Sequence, residues 1–176
     1  RDLVMIEPSD LAMVRREYDK LLDSDAFERL SENSYDVMEY VYGLLENGSD
    51  PSALSGPQSG GDADGADVGD SDDGIAYHSH CQQRTLGLEE HTEAVLDRLG
   101  YDVATSDVEC CGMAGSFGYK SEYYELSVDV GSELQGQFQT DENRDRTVVA
   151  SGTSCLEQLD DLLERPTQHP IELLVR

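Results

Sequence analysis

The sequence has no tryptophan, only three phenylalanines, and few basic residues. Its 12 Lys and Arg face 38 Asp and Glu, a formal net charge of −26 at pH 7. Without a basic patch, direct binding to a nucleic acid or to an anionic membrane is not expected. No apolar run reaches the roughly 18–20 residues that cross a bilayer. Because the chain lacks an initial Met and a secretory leader, we interpret it as a piece of a longer cytoplasmic protein.

The acidic residues occur in every segment of the chain, which favours a folded protein with an acidic surface over an acidic tail. Hydrophobic residues make up 38% of the sequence, enough for the core of one domain. A surface of this kind keeps a protein soluble in very high salt, where the ions screen its self-repulsion. We therefore expect a halophilic, and specifically haloarchaeal, origin.

The first part of the chain predicts one strand followed by two helices. We expect a buried strand at residues 3–6, because the run is short and apolar. A first helix should follow Pro8-Ser9-Asp10, which offers its N-cap, and a single second helix should stop near Gly48. The apolar positions that define these helices recur at helical spacing: Leu11, Val14, Tyr18 and Leu21 in the first, and Phe27, Leu30, Val37, Val41 and Leu44 in the second.

Composition changes at residues 49–74, which consist of Gly, Ser, Asp and Pro with almost nothing apolar. This composition is typical of a flexible acidic linker or surface insertion. Beyond it, strands at residues 75–78, 101–104 and 147–150 alternate with amphipathic helices. Alternation of this kind predicts an α/β fold with a Rossmann-like, mostly parallel sheet flanked by helices.

An internal similarity divides the chain further. Residues 3–11 resemble residues 147–156, since each is a strand, a small polar turn and a helix, and Asp10 then aligns with Cys155. We therefore predict that residues 1–48 are the C-terminal βα part of a preceding repeat. Residues 75–176 would be the complete second repeat.

All four cysteines follow predicted strands, and the carboxyl ends of parallel strands gather ligands at one edge of a sheet. We therefore expect Cys81, Cys110, Cys111 and Cys155 to converge on one metal site. Four thiolates suit a [4Fe–4S] cluster or a zinc ion, and the adjacent pair favours the multinuclear cluster. The alternatives are ordinary buried cysteines, a disulfide such as Cys81 with Cys155, and thiol–disulfide redox chemistry.

A glycine-rich loop follows the adjacent cysteine pair, with glycines at 112, 115 and 118. It lacks the Lys-Ser/Thr ending of a phosphate loop and the spacing of a dinucleotide fingerprint. We expect Gly112, Gly115 and Gly118 to bind the cofactor by letting backbone N–H groups approach cluster sulfurs. Either His78 or His80 could add a ligand or a hydrogen bond to a sulfur, although strand-end histidines are more often structural.

Three segments resemble the cysteine-rich "CCG" domain: Tyr-His-Ser-His-Cys ending at Cys81, Cys-Cys-Gly-Met-Ala-Gly-Ser-Phe-Gly-Tyr from Cys110, and Gly-Thr-Ser-Cys ending at Cys155. That domain occurs in FAD-linked 2-hydroxy-acid oxidoreductases and in the iron–sulfur subunit of glycolate oxidase. It also occurs in subunits of anaerobic glycerol-3-phosphate dehydrogenase and of heterodisulfide reductase. The resemblance covers residues 75–176, with residues 1–45 as the end of a preceding copy.

The resemblance implies an iron–sulfur electron-transfer module of a larger oxidoreductase. FAD would lie on a missing domain or subunit, with a membrane quinone-linked partner as one acceptor of electrons. The fragment alone would be catalytically incomplete. The fullest family pattern ends in Cys-x-x-Cys and supplies five thiolates for a noncubane cluster. Here Gly152 stands at the first of those two positions. The four remaining thiolates suit a cubane cluster or zinc.

Overall fold

The computed structural model describes residues 1–54 and 74–174. The first segment contains two parallel strands, β1 (Leu3–Met5) and β2 (Ser34–Asp36). It also contains three helices: α1 (Pro8–Arg16), α2 (Ser24–Glu32) and α3 (Val37–Glu46). Short 3-10 turns lie at Tyr18–Lys20 and Pro51–Ala53.

The second segment forms a four-stranded sheet in the order β4-β3-β5-β6, with every neighbouring pair parallel. Its strands are β3 (Gly74–His78), β4 (Asp102–Thr105), β5 (Thr147–Ala150) and β6 (Thr167–Gln168). Its helices are α4 (Cys81–Thr85), α5 (Glu89–Arg98), α6 (Tyr124–Phe138) and α7 (Thr153–Leu163), and a 3-10 helix spans Pro170–Leu174. Within the two described ranges, no helix is both long enough and apolar enough to cross a bilayer.

The sheet is covered on both faces, because alternate residues of a strand point to opposite sides. Ile75 and Tyr77 of β3 pack with residues of α3 and α5, and Ala76 packs on the opposite face with residues of α6 and α7. Val149 and Val148 of β5 divide between the two faces in the same way. This arrangement confirms the predicted α/β class with a parallel sheet between helices.

Two parts of the chain share one local topology. Leu3 of β1 pairs with Ser34, as Val148 of β5 pairs with Thr167. Helix α1 begins five residues after Leu3, and α7 begins five residues after Val148. Asp10 and Cys155 are therefore both the third residue of their helices. The positions agree with the internal similarity of the sequence, and the domain boundaries drawn from it stay a prediction.

Three predictions for the first segment are wrong. The strand at residues 3–6 is not buried, since Leu3 is 41% and Ile6 is 61% exposed, and among the described strands β1 pairs with β2 alone. The first helix starts earlier, at Pro8, because the Glu7 side chain accepts the N–H of Ser9 and caps it.

The second predicted helix is two helices, with β2 between them. The Ser34 hydroxyl donates to the carbonyl of Leu30 at 2.6 Å, at the end of α2. Asp36 and Glu39 then form a capping box that starts α3: Asp36 Oδ1 accepts the N–H of Met38, and Glu39 Oε2 accepts the N–H of Asp36. Tertiary pairing of β2 with β1 thus interrupts a periodic apolar pattern.

The strands predicted at residues 75–78, 101–104 and 147–150 are confirmed, the second with a shift of one residue. The helices after them are confirmed as α5, α6 and α7. Strand β6 and the short helix α4 were not predicted. Most of the predicted linker, residues 55–73, lies outside the described residues.

The stability of the folded chain should depend on pH through Asp36. Burial raises its pKa from 3.8 to about 6, and the nearby charge of Glu39 acts in the same direction. Since the folded state then binds the proton more tightly than the unfolded state, the contribution of Asp36 to stability falls as pH rises from about 4 to about 6. Two units of pKa correspond to about 3 kcal/mol.

We expect the variant Asp36→Asn to remove this dependence and to keep the cap, because asparagine is an equally good N-cap residue. The free energy of unfolding should be measured by urea denaturation of both proteins at several pH values and one high salt concentration. The wild type should lose up to about 3 kcal/mol relative to the variant between pH 4 and pH 7. A difference that is the same at both pH values would contradict the assignment.

Candidate metal centre

The four cysteines come from three neighbouring loops at the carboxyl edge of the larger sheet. Cys81 is the first residue of α4, just beyond β3. Cys110 and Cys111 lie in the loop between β4 and α6, and Cys155 lies in the first turn of α7, just beyond β5. Because β4, β3 and β5 are adjacent and parallel, their ends deliver all four residues to the same edge.

One cavity of about 370 Å³ brings these cysteines together. All four are free thiols, so the disulfide alternative is not formed. The residues that line the cavity come from α1 as well as from the larger sheet: Ser9, His80, Cys81, Gln82, Cys110, Cys111, Ala114, Gly115, Ser154 and Cys155. The sequence-predicted thiols thus share one space, and their role as metal ligands stays a prediction.

Cys111 and Cys155 form the buried part of the site. They are 4% and 2% exposed, and both belong to the core beneath α6 and α7. A hydrogen bond from the Cys155 thiol lowers the pKa of Cys111 against the opposing effect of burial, and the same bond raises the pKa of Cys155. Ionisation of Cys111 is therefore favoured, and ionisation of Cys155 is disfavoured. A bound cation supplies the charge that lets both ionise.

Cys81 and Cys110 form the outer part of the site. Cys81 is exposed and Cys110 is half-buried. Partial burial raises the pKa of Cys81, and the negative charges of Cys110 and Cys111 raise it further. The Cys110 sulfur accepts the N–H of Gly112 at 3.4 Å. This is one backbone N–H to sulfur contact of the kind expected around a thiolate-bound metal.

His78 lies behind the buried thiols, at the end of β3. It is fully buried, and its Nδ1 lies 2.9 Å from the hydroxyl oxygen of Ser106. One ring nitrogen of His78 and the sulfurs of Cys111 and Cys155 all lie within 4.8 Å of one another. The site therefore presents a nitrogen donor next to two sulfur donors.

His80 is engaged differently from His78. Its Nδ1 accepts the N–H of Gln82 at 3.0 Å and caps α4, and its Nε2 lies 3.5 Å from Ser9 Oγ and 3.8 Å from Glu7 Oε1. Burial lowers the pKa of His80, and the charge of Glu7 opposes this. Both ring nitrogens of His80 thus have protein partners.

Glu7 connects α1 to the larger sheet. Its Oε2 accepts the N–H of Thr153 at 3.0 Å, at the start of α7. Burial by itself would raise the pKa of Glu7, but the N–H groups of Thr153 and Ser9 lower it below its ordinary value. Glu7 therefore caps both α1 and α7. Asp10 is exposed and does not line the cavity in the described part of the chain.

Gly152 lies against His80. A Cβ atom built at Gly152 would lie 2.2 Å from His80 Cδ2 and 2.8 Å from its Cγ. A fifth cysteine at this position therefore cannot be added unless the imidazole moves. The steric conflict gives a physical reason for a site with four thiols.

The three loop glycines differ in what they do. Gly115 lines the cavity, has φ +67 and has nothing within 4 Å of an added Cβ. At Gly112, φ is +96 and an added Cβ would lie 2.1 Å from the carbonyl oxygen of Ser127 in α6. At Gly118 it would meet side-chain atoms of Ser127 and Met113. Only Gly115 among the three faces the cavity, whereas Gly112 and Gly118 allow the loop to pack on α6.

A buried polar network that the sequence did not reveal holds the strand ends in place. The amide oxygen of Gln83 accepts hydrogen bonds from the hydroxyls of Tyr77 at 2.6 Å, Ser79 at 2.9 Å and Ser151 at 2.7 Å. Ser151 also accepts the N–H of His80. The ends of β3 and β5 are thereby joined next to the thiols. A glutamine in a short polar helix gives no sequence signal of this role.

Helices α6 and α7 hold the loop that carries Cys110 and Cys111. The Ser127 hydroxyl donates to the carbonyl of Gly112, and Gln158 donates to the carbonyl of Ser127. Gly131 lets the Cys111 carbonyl approach α6, since a Cβ there would lie 2.7 Å from that oxygen. Apolar spacing does not reveal the small residues of α6, because they contribute by having little side chain.

The described donors fit a metal or cluster that prefers sulfur. Four thiols line one cavity, the imidazole of His78 lies beside two of them, and the N–H of Gly112 is directed to the sulfur of Cys110. Soft thiolate ligands select zinc and iron–sulfur clusters, whereas Mg²⁺ and Ca²⁺ prefer oxygen. The residues therefore fit the groups that the sequence predicts.

None of the protein-family models matches the chain. Known proteins do: the chain is 30% identical over 103 residues to a subunit of the anaerobic glycerol-3-phosphate dehydrogenase of Escherichia coli, which covers 58% of this chain and 26% of that protein. It is 29% identical over 100 residues to D-2-hydroxyglutarate dehydrogenase of Pseudomonas putida, covering 56% of this chain and 10% of that protein. The chain thus spans about a quarter or less of these relatives, and over more than half its length it is similar to parts of dehydrogenases.

Proposed function

We propose that this chain is the iron–sulfur electron-transfer module of a larger FAD-linked oxidoreductase. The observation that carries the proposal is the convergence of four free cysteines on one cavity at the carboxyl edge of the parallel sheet. Four thiolates are the usual protein ligands of a [4Fe–4S] cluster. The ligands of the cluster would be Cys81, Cys110, Cys111 and Cys155.

The similarity to dehydrogenases supports the rest of the proposal. The relatives act, by name, on glycerol 3-phosphate and on D-2-hydroxyglutarate. We infer that the flavin and the substrate, a 2-hydroxy acid or glycerol 3-phosphate, are bound elsewhere in the parent enzyme. The electrons would pass through this chain to a membrane quinone-linked partner or another acceptor. We place the module in the cytoplasm, attached to the inner face of the membrane only through partners.

Some residues of the chain hold the site in the core, and others leave one side of it open to solvent. Cys111 and Cys155 anchor the site in the core, and the Gln83 network fixes the strand ends around it. Exposed Cys81 marks the side that is open to solvent, where a partner can approach closely. A bound cluster supplies a centre that takes up and releases one electron at a time.

A structural site for one zinc ion is the second candidate. The observation that favours it is the close spacing of His78, Cys111 and Cys155, whose donor atoms lie within 4.8 Å of one another. Structural zinc sites are commonly built from cysteine and histidine donors in a tetrahedron. Zinc has no redox chemistry in proteins, so the two candidates differ in whether the chain accepts electrons.

A reductive titration tests the electron-transfer proposal. The anaerobically purified chain is reconstituted with iron and sulfide, desalted and titrated with a reductant while its visible absorbance is recorded. We expect partial bleaching with the uptake of about one electron per chain, at a potential within the roughly −700 to +450 mV range of iron–sulfur proteins. A reconstituted chain that takes up no electrons within that range contradicts the proposal.

A further inference from the structure

His78 has an arrangement that its neighbour His80 lacks. The ring is 0% exposed, and Nδ1 lies 2.9 Å from the hydroxyl oxygen of Ser106. The other ring nitrogen, Nε2, has no nitrogen or oxygen partner among the described residues, and a hydrogen bond from His78 is among the causes that lower the pKa of the Cys111 thiol. Such a nitrogen beside two thiols is the arrangement of a metal ligand whose outer nitrogen is held by a hydrogen bond.

The distances suit a single tetrahedral ion. With metal–sulfur bonds of about 2.3 Å and metal–nitrogen bonds of about 2.0–2.1 Å, donor atoms on one ion are separated by roughly 3.5–3.8 Å. The donor atoms of His78, Cys111 and Cys155 lie within 4.8 Å of one another. The separations in the metal-free chain therefore exceed those on one ion by no more than about 1.3 Å. The three side chains come from the ends of β3 and β5 and from the cysteine loop, all fixed by the core.

We propose that, in the chain without a cluster, His78 binds a single divalent ion through Nε2, together with Cys111 and Cys155. This inference rests on the proposed function only in that the buried thiols bind metal. In a [4Fe–4S] cluster each iron takes one protein ligand, so the four cysteines alone would hold the cluster and His78 would serve only the single ion. Nδ1–H donates to the Ser106 hydroxyl, which leaves the Nε2 lone pair directed to the metal. His80 is not the nitrogen ligand, because its Nδ1 is occupied by the N–H of Gln82 and its Nε2 faces Ser9 and Glu7.

Cobalt(II) binding tests the proposal without any need for an assembled cluster. The whole chain is stripped of metal, reduced and titrated anaerobically with Co²⁺, and sulfur-to-cobalt charge-transfer absorption reports the Kd. In His78→Gln the Kd should rise more than about tenfold, since even outer partners of metal ligands contribute 10–100-fold. The matched control is His91→Gln, because His91 packs against Tyr42 with ring centroids 4.7 Å apart and is not part of the donor group of His78, Cys111 and Cys155.

Two further measurements keep the test decisive if His78→Gln folds poorly. Pulsed EPR of the wild-type chain with ¹⁵N-labelled histidine should show a nitrogen directly coupled to Co²⁺. Ser106→Ala keeps the imidazole and removes its orienting hydrogen bond, so the Kd should rise by about tenfold or more.

Three results would overturn the proposal: wild-type chain that does not bind Co²⁺, equal Kd values in wild type and a folded His78→Gln, or no coupled histidine nitrogen. If the imidazole only donated a hydrogen bond to a thiolate, nitrogen coupling would be absent although Co²⁺ binds. Failure of the proposed function is recognised separately, because it appears as missing iron and sulfide after reconstitution, whatever the Co²⁺ result.

Discussion

Replacing Cys111 with serine is expected to abolish the visible absorbance of the reconstituted chain, near roughly 400 nm, together with its bound iron. Cys111 is the thiol whose ionised form the site already favours, through the hydrogen bond from Cys155. It is also 4% exposed, so solvent cannot supply a substitute ligand easily. A serine hydroxyl is a harder and much less acidic donor that binds iron–sulfur clusters poorly. The measurement is the iron content and absorbance per folded chain.

The matched control for this loss is Met113→Leu, two residues along the same loop. Met113 is buried, and the exchange conserves volume, so its cost should stay below about 1.5 kcal/mol. This variant should keep the wild-type iron content. Circular dichroism of both variants separates a lost ligand from a lost fold. Intact absorbance in a folded Cys111→Ser protein would contradict the assignment of Cys111 as a ligand.

Gly112→Ala is expected to destabilise the folded chain by about 2–5 kcal/mol. Two effects add at this position. Gly112 has φ +96, which L side chains rarely adopt, and a Cβ there would lie 2.1 Å from the carbonyl oxygen of Ser127. Since that oxygen belongs to the backbone of α6, neither the helix nor the loop can move aside cheaply. The free energy of unfolding should be measured by urea denaturation of the metal-free chain.

Gly115→Ala separates the two effects within the same loop. Gly115 has φ +67, and nothing lies within 4 Å of an added Cβ. The variant should therefore lose only the backbone contribution, about 1–2 kcal/mol. Equal losses at Gly112 and Gly115 would show that contact with α6 does not explain the glycine at 112.

The larger sheet was predictable because the local sequence of its strands is distinctive. Residues 75–78 and 147–150 are short apolar runs, and each precedes an amphipathic helix. Both faces of these strands are covered by helices, so the runs are continuous and apolar instead of alternating. The predicted convergence of the cysteines followed from the same pattern, since parallel strands end at one edge.

The first segment was less predictable because its apolar spacing does not reveal the interruption by β2. Leu30 and Val37 are seven residues apart, which is two helical turns, so the pattern stays in phase across residues 34–36. The break depends on pairing between β1 and β2 and on the capping box of Asp36 and Glu39. Of these two features, only the capping pattern is local in sequence.

The supporting residues of the site also required the structure. In the sequence His78 and His80 both lie within three residues of Cys81, and only their contacts separate a capping histidine from one with a nitrogen near two thiols. Gln83 acts through three hydroxyls, one of which lies 68 positions away in the chain. Gly131 acts by the absence of a side chain. Long-range contacts and small residues leave no periodic signal.

Metal and sulfide analysis of the anaerobically purified and reconstituted chain tests the central claim most directly. Iron, zinc and acid-labile sulfide are measured per folded chain, with Cys111→Ser carried through the same procedure. We predict about four irons and about four sulfides in the wild type and neither in the variant. One zinc without sulfide, or no bound metal after reconstitution, would contradict an iron–sulfur electron-transfer module.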